Sequence, residues 1–379
     1  MTDLRADIVT AVGEIDVRLR DSWDALAVAC ARPLSAPGWL LAWWNTMASP
    51  GAAARVVTVR DGDELVGIAP FHVVRKHGVA QYLPFGTGMA NRNGPLAVPG
   101  REREVAAAIG MALQAADPHP GVVHLDQIDV DSPWPAALAG TWPGRRPFTE
   151  NRHVAPAPVL HLRGDFEEWL AGKSTNFRQR LRRDGRRLEG RGARTHAITS
   201  EAEFDRIMRA FGELHGARWG GQSALNADAG RALMLSAGRE MLAGGRFRVY
   251  AIETDDQVVT VQLFVAAGGE VAYWNGGWHP DWAQFSPAIQ GIVAGIKDGF
   301  ERGDRRVDFG QGDHPYKQRL ADGDAPVAWP SLYPHGRGHL RARIVRLGPQ
   351  VRDAASRAVE HLPPHARRQI DRLRDRVSG

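Results

Sequence analysis

Apolar residues recur along this chain at two spacings, in short unbroken runs that suit buried strands and in stripes three to four residues apart that suit helices. Val271 to Asn275 is a run of the first kind. A stripe of the second kind follows, with Ile289, Ile292, Val293, Ile296 and Phe300 on one face. Ser286-Pro287 opens this helix, as an N-cap and a favoured first residue, and Gly303 stops it. Arg306 to Phe309 is the next short strand, and its end delivers Gly310, Gly312, Asp313, His314, Tyr316 and Lys317 into a loop. Strand, helix and strand make a crossover unit. Before it, Phe247 to Ile252 and Val258 to Ala266 read as adjacent strands turned at Asp255-Asp256.

The first part of the chain reads the same way. A strand and a helix carrying Trp23, Leu26 and Cys30 fill residues 1–30, and Pro33 ends the helix. A second helix over residues 36–48 gathers Trp39, Leu40, Trp43 and Trp44 on one face, a stripe expected to be core. Strands are expected at 55–60, 64–75, 79–84 and 122–128, and helices at 101–116 and 134–139. The proline-rich stretch 143–158 reads as a linker. The expected organisation is therefore residues 1–150, residues 155–330 and a tail, 331–379. In the tail Leu340, Ile344, Leu347 and Val351, interrupted by Gly348-Pro349, and then Ile370, Leu373 and Val377 mark amphipathic helices.

Composition narrows the chemistry. With 379 residues, 43% hydrophobic and 24% charged, the chain has the make-up of a globular protein. Its one cysteine, Cys30, excludes an internal disulfide and a multi-cysteine zinc site. The N-terminus shows no apolar run of the signal-peptide kind, and no stretch is apolar enough to span a membrane, so the expected location is the cytoplasm. The net charge of +5 is concentrated in the tail, with eleven arginines against four carboxylates, and in Arg178 to Arg194, with eight arginines against Asp184 and Glu189. Both clusters suit a polyanion such as tRNA, coenzyme A phosphates or anionic lipid, and both suit solvated helix faces. Neither a P-loop nor a Gly-x-Ser-x-Gly elbow occurs, and His279, Asp281, Asp313 and His314 match no metal-ligand spacing, so no metal is expected.

A helix that starts at the end of a strand offers free N–H groups and a positive dipole end to phosphate. Ser286, Pro287, Ala288, Ile289 and Gln290 are the residues so placed, which suggests a pyrophosphate-bearing donor such as coenzyme A, with Tyr316 or Asp313 near the reacting group. An ordinary capped crossover helix is the alternative.

The same residues carry a resemblance. Ser286-Pro287-Ala288, Asp308-Phe309-Gly310 and Gly312-Asp313-His314-Pro315-Tyr316-Lys317 resemble the helix start, the second strand end and the Gly-Asp-x-x-Tyr-Lys signature of the CelD/BcsL-type acetyltransferases, a GNAT branch related to the FemAB-type transferases. Upstream, the paired arginines of residues 169–192 and His215-Gly216-Ala217-Arg218-Trp219 are similar to further motifs of that family. Ala288 stands where the family has glycine.

The resemblance implies an α/β tandem GNAT-like fold, two mixed sheets flanked by helices, with the basic helical C-terminal tail added. It implies an N-acyltransferase that moves an acetyl or longer acyl group from acyl-CoA to an amine, or a hydroxyl, of a small molecule or saccharide by direct attack in a ternary complex. Tyr316 is then the general acid, and Asp313, His314 and His215 are candidates for the base. Arg218, Trp219, Trp274 and Asn275 would shape the acceptor pocket, and Lys317 would hold a donor phosphate. The alternatives are aminoacyl transfer from charged tRNA, as in FemAB-type enzymes, and a GNAT-like binding module without catalysis. A monomer or a dimer is expected.

Overall fold

The computed structural model describes residues 4–220 and 223–336. The chain opens with β1 (Arg5–Val9), two helices, α1 (Val17–Ala29) and α2 (Pro37–Met47), and an antiparallel meander of β2 (Ala53–Asp61), β3 (Glu64–Lys76) and β4 (Val79–Pro84). After β5 (Leu96–Ala97), which pairs with β3, α3 (Glu102–Ala115) crosses over to β6 (Val122–His124), parallel to β4. Then come β7 (Ile128–Asp129), α4 (Trp134–Thr141) and β8 (Phe148–Ala155).

The following stretch contains β9 (Pro158–His161), α5 (Phe166–Ala171) and α6 (Thr175–Glu189), and then repeats the opening order. A strand, β10 (Arg194–Ile198), precedes two helices, α7 (Glu201–Trp219) and α8 (Asp228–Leu242). The meander is β11 (Phe247–Glu253), β12 (Val258–Ala267) and β13 (Glu270–Trp278). The crossover helix is α9 (Pro287–Glu301), and it leads to β14 (Arg306–Asp308), parallel to β13. The last elements are α10 (Pro315–Leu320), β15 (Gly323–Asp324) and β16 (Val327–Tyr333).

Two mixed sheets flanked by helices result, as expected from the motifs. The first runs β1-β2-β3-β4-β6-β16-β7, with β5 on β3 and β8 on β16, and the second runs β10-β11-β12-β13-β14-β9-β15. Each has one parallel pair, joined by the crossover helix. Two boundaries differ from the sequence reading. The stretch taken as linker holds β8, and the expected start of the tail at residue 331 falls inside β16, which returns from the second half to pair with β6, β7 and β8. Alternation in Val327–Tyr333 is broken by Pro330, at a register shift, which hid the strand. The expected tail helices lie outside the described residues.

One hydrophobic cluster runs through both halves. It joins Trp39 and Trp43 of α2 to Phe204, Phe211, Met234 and Met241 of α7 and α8 and to Phe247 and Leu263 of the second sheet. Trp39 and Leu40 are fully buried, so the tryptophan stripe is core, as its spacing predicts. Trp39 also meets Trp274 of β13 edge to face at 4.7 Å, a contact between the halves.

Gly291, Gly295 and Gly299 form one stripe of α9. A Cβ on Gly291 would lie 2.7 Å from Gln262 Cγ, and one on Gly295 would lie 2.5 Å from Phe264 Cζ. Bare glycine backbone thus lets α9 sit tightly on β12, and this seats its first turn above the end of β13.

Candidate functional site

The site follows from a short parallel pair. β13 is nine residues long, yet it meets β14 only over Glu270–Ala272 and Arg306–Asp308. Beyond Ala272 the strands part, because Phe309 N–H turns to the Pro158 carbonyl and Gly312 N–H to the Pro156 carbonyl. At the fork β13 also slips register between Tyr273 and Asn275, which leaves Trp274 as the extra residue of a bulge.

The cleft so opened holds a cavity of about 490 Å³. Its wall includes Tyr273, Trp274 and Asn275 of β13, Ser286 to Ile289 at the start of α9, Arg218 of α7, and Tyr316 and Lys317 of α10. Arg218 and Lys317, nearly a hundred positions apart in the chain, are therefore brought to one cavity. The chain around Tyr316 and Lys317 is not a loop as expected, because Pro315 starts the short helix α10.

Ser286 occupies the N-cap position of α9 but does not cap it. Its backbone is left-handed (φ 51°, ψ 47°), and no side-chain cap hydrogen bond forms. Its Oγ donates instead to Asp184 Oδ2 at 3.3 Å and accepts from Arg180 Nη2 at 3.2 Å, which ties the turn to α6. Pro287 has no N–H, and the Ile289 and Gln290 N–H groups bond to the Ser286 carbonyl at 3.0 and 3.2 Å, so of the first-turn N–H groups that of Ala288 is left to meet a ligand. Asp184 is 1% exposed and also takes bonds from Arg183, so it anchors arginines whose neighbours Arg182, Arg186 and Arg187 stay exposed. Arg187 and Arg191 lie over the Phe285 ring at 4.9 and 5.1 Å. A basic, exposed surface therefore borders the α9 start.

Of the expected acid and base candidates, Tyr316 and His314 line the cavity. The Tyr316 hydroxyl lies near that of Tyr273, which donates to Gln262 Oε1 at 2.9 Å. Gln262 Nε2 donates to Thr260 Oγ1 at 2.7 Å, and Thr260 Oγ1 donates to the Gly277 carbonyl at 2.7 Å. Gln262 and Thr260 are fully buried, so the chain of bonds fixes Tyr273 beside Tyr316. Burial pushes the Tyr316 hydroxyl above the usual tyrosine range, with the Arg218 guanidinium pulling it back down. Burial pushes Tyr273 higher still. Arg218 itself lies over the Trp278 ring at 5.4 Å.

The other expected residues are placed differently. Asp313 is exposed and lines neither this cavity nor its neighbour. His215 is 3% exposed on α7, stacked on Phe211 at 5.4 Å, with Nε2 hydrogen-bonded to Ser223 Oγ at 2.9 Å. Burial holds its pKa below the ordinary histidine value, so it stays neutral and braces the segment after α7. His314 lines the cavity and stacks on Tyr316 at 6.2 Å. Gln290 Nε2 donates to the Leu181 carbonyl at 2.8 Å and so joins α9 to α6. The Trp219 side chain lies outside the described residues.

Lys317, expected to face a donor phosphate, is 6% exposed and turns inward. Its Nζ donates to the Gly310 carbonyl at 3.1 Å and the Gln311 carbonyl at 2.6 Å, so it closes the loop between β14 and α10. Burial pushes its pKa down to about 8, while Asp308 acts upward.

Behind this loop lies a buried ion network. Arg92 is 5% exposed; its Nε donates to Asp308 Oδ2 at 2.8 Å, its Nη2 to the Ala325 carbonyl at 2.9 Å, and its Nη1 pairs with Asp129. Asp308 in turn accepts from Gly310 N–H at 2.8 Å. The 86–94 loop of the first half is thereby clamped over the fork, with Trp274 Nε1 donating to the Met89 carbonyl at 3.1 Å.

A second cavity of about 360 Å³ lies under that clamp and shares Tyr273, Trp274, Asn275, Phe309 and Lys317 with the first. The arrangement can seat two molecules, with their reacting ends meeting at Trp274 and Tyr273. Sequence reading missed Tyr273, Gln262, Arg92 and Gln127. Polar Thr260 and Gln262 inside an otherwise apolar strand were a usable signal, whereas nothing local marked Arg92.

Comparison with known proteins agrees with this geometry. Residues 175–318, from the start of α6 to α10, match the family model described as "Acetyltransferase (GNAT) domain". The fold is shared with FemX at 13% identity, with a TM-score of 0.60 over 83% of this chain and 96% of that one. It is shared with the C-terminal domain (DUF2156) of a putative lysylphosphatidylglycerol synthetase from Agrobacterium fabrum, at 10% identity and a TM-score of 0.54 over 88% and 96% of the two chains. It is also shared with a conserved protein of unknown function from Bacteroides thetaiotaomicron, at 10% identity and a TM-score of 0.52 over 86% and 100%. No curated protein matches the chain. Among the described residues no helix is long and apolar enough to cross a membrane. Residues 175–318, which hold the forked strands, the crossover helix α9 and Tyr316, are thus similar to an acetyltransferase (GNAT) domain.

Proposed function

We propose that the protein is an N-acyltransferase that takes an acyl group from an acyl-coenzyme A thioester and passes it directly to the amine of a small molecule. The observation that carries this reading is the uncapped start of α9 opening onto the same cavity as Tyr316. The donor's phosphates are held by the Ala288 N–H and the positive dipole end of that first turn, with Arg180 and the exposed arginines of α6 beside them. The motif resemblance to CelD/BcsL-type acetyltransferases supports the same donor.

The chemistry balances with the residues present. The amine nitrogen attacks the thioester carbonyl carbon, the N–C bond forms, and the C–S bond breaks with its electron pair going to sulfur. One proton leaves the amine, and one reaches the thiolate, from Tyr316. A tyrosine with a raised pKa is fully protonated at neutral pH, so it is loaded as an acid. Giving that proton to a thiolate runs uphill, because a thiol is the stronger acid. The Arg218 guanidinium offsets this by stabilising the tyrosinate. The amine proton leaves to solvent or to the fraction of Lys317 that is neutral, and Tyr316 is reprotonated from solvent.

Thiol release from acetyl-CoA in the presence of an amine panel tests the reading. It is upheld by amine-dependent release that is lost in Tyr316→Phe, and refuted if no amine supports release. A second reading, aminoacyl transfer from a charged tRNA, is favoured by one observation, the exposed arginines of α6, which Arg180 ties to Ser286 at the start of α9. It requires tRNA binding that weakens steeply with salt.

A further inference from the structure

The second cavity has an unusual chemical lining. Four of its side chains are carboxamides, Asn91, Gln127, Asn275 and Gln311, and one wall is the Trp274 indole. No carboxylate and no arginine is among the described residues that line it. Among the described residues that line it the only charged group is Lys317, whose Nζ already serves the Gly310 and Gln311 carbonyls.

Two of these residues stand ready for a ligand. Gln127 is 9% exposed and sits in the left-handed region at φ 50°, and among the described residues its carboxamide makes no hydrogen bond. It lines the cavity, so a ligand there can bond its amide without displacing a protein partner. Trp274 is held rigid by its bond to Met89 and by the edge of Trp39, so its ring is a fixed platform.

This lining discriminates among amines. A polyamine needs carboxylates to replace the water around its ammonium groups, and a free amino acid needs an arginine for its carboxylate; neither is present. Hydroxyl groups both donate and accept, as carboxamides do, and the C–H face of a saturated ring packs on an indole. We propose that the acceptor is a neutral, hydroxyl-rich amine of the amino-sugar class, with its ring on Trp274, its hydroxyls on the carboxamides including Gln127, and its amine directed at the fork. The inference rests on the acyl-transfer reading and names the substrate class for the same site.

The test uses the full chain. Coenzyme A affinity is measured first by calorimetry, and acetyl-CoA thiol release is then followed with glucosamine, galactosamine, spermidine and lysine at equal concentration. An amino sugar should exceed spermidine and lysine in kcat/KM by about tenfold or more, the scale of one or two satisfied hydrogen bonds. Gln127→Asn and Gln127→Gly both tolerate the left-handed backbone, and each should raise KM for the amino sugar about tenfold with coenzyme A affinity unchanged. Faster turnover of spermidine or lysine, no turnover of either amino sugar, or amino-sugar KM unmoved in both folded variants overturns the proposal while leaving the donor reading intact. Absence of coenzyme A binding refutes the donor reading instead.

Discussion

Replacing Arg92 by methionine leaves the buried Asp308 without its main partner, while Asp129 keeps Arg32 Nη2 at 2.6 Å. In the wild type, Asp308 is 2% exposed and takes the Arg92 Nε–H at 2.8 Å, and Asp129 pairs with Nη1. The two carboxylates hold the Arg92 pKa above its ordinary value, outweighing the burial that acts against the charge. Methionine fills a similar volume, so the cost is electrostatic. Breaking a buried pair from one side costs about 3–5 kcal/mol, a large share of a typical stability of about 5–15 kcal/mol. What remains at Asp308 is the Gly310 N–H at 2.8 Å and a long contact to Asn91 at 3.4 Å, which places the loss toward the lower end of that range. Urea unfolding at neutral pH reads the loss. The double variant Arg92→Met/Asp308→Asn should recover part of it. A difference under about 1 kcal/mol, or no recovery in the double variant, refutes the reasoning.

Two further outcomes follow from the same geometry. Tyr316→Phe should lower kcat about 10²- to 10⁴-fold, with coenzyme A affinity unchanged and stability altered by about 1 kcal/mol, since only one hydroxyl is lost; thiol-release kinetics with a melting curve check it. Gly295→Ala gains about 1 kcal/mol of helix propensity but sets a methyl 2.5 Å from the fully buried Phe264 ring, so a net loss and a Tm lower by a few degrees are expected in calorimetry. An unchanged or higher Tm would show that α9 has slack against β12.

Much of this was written in local pattern. Val258–Ala267 and the α9 stripe have clean periods, and the Ser286-Pro287 start marks the helix that opens on the cavity. Tyr316 could be found because its motif lies within one crossover unit. Other features depend on partners far away in the chain. Arg92 meets Asp308 from 216 positions away, and no spacing encodes that. β16 joins a sheet whose other strands lie in the first half, and its alternation is broken by Pro330. Lys317 looked like a surface cation because a lysine's burial depends on what surrounds it; here Gly310 and Gln311 turn their carbonyls onto it. Ser286 looked like an ordinary cap because sequence does not tell which acceptor a serine prefers, and Asp184 won.

The central claim is that the start of α9 holds a coenzyme A donor. Calorimetric titration of coenzyme A into the wild-type chain and into Ala288→Glu measures it directly. The account predicts saturable binding by wild type and its loss in the variant, where a carboxylate stands at the phosphate site in the first turn. Equal affinity in both proteins, or salt-sensitive tRNA binding with no response to coenzyme A, would contradict it.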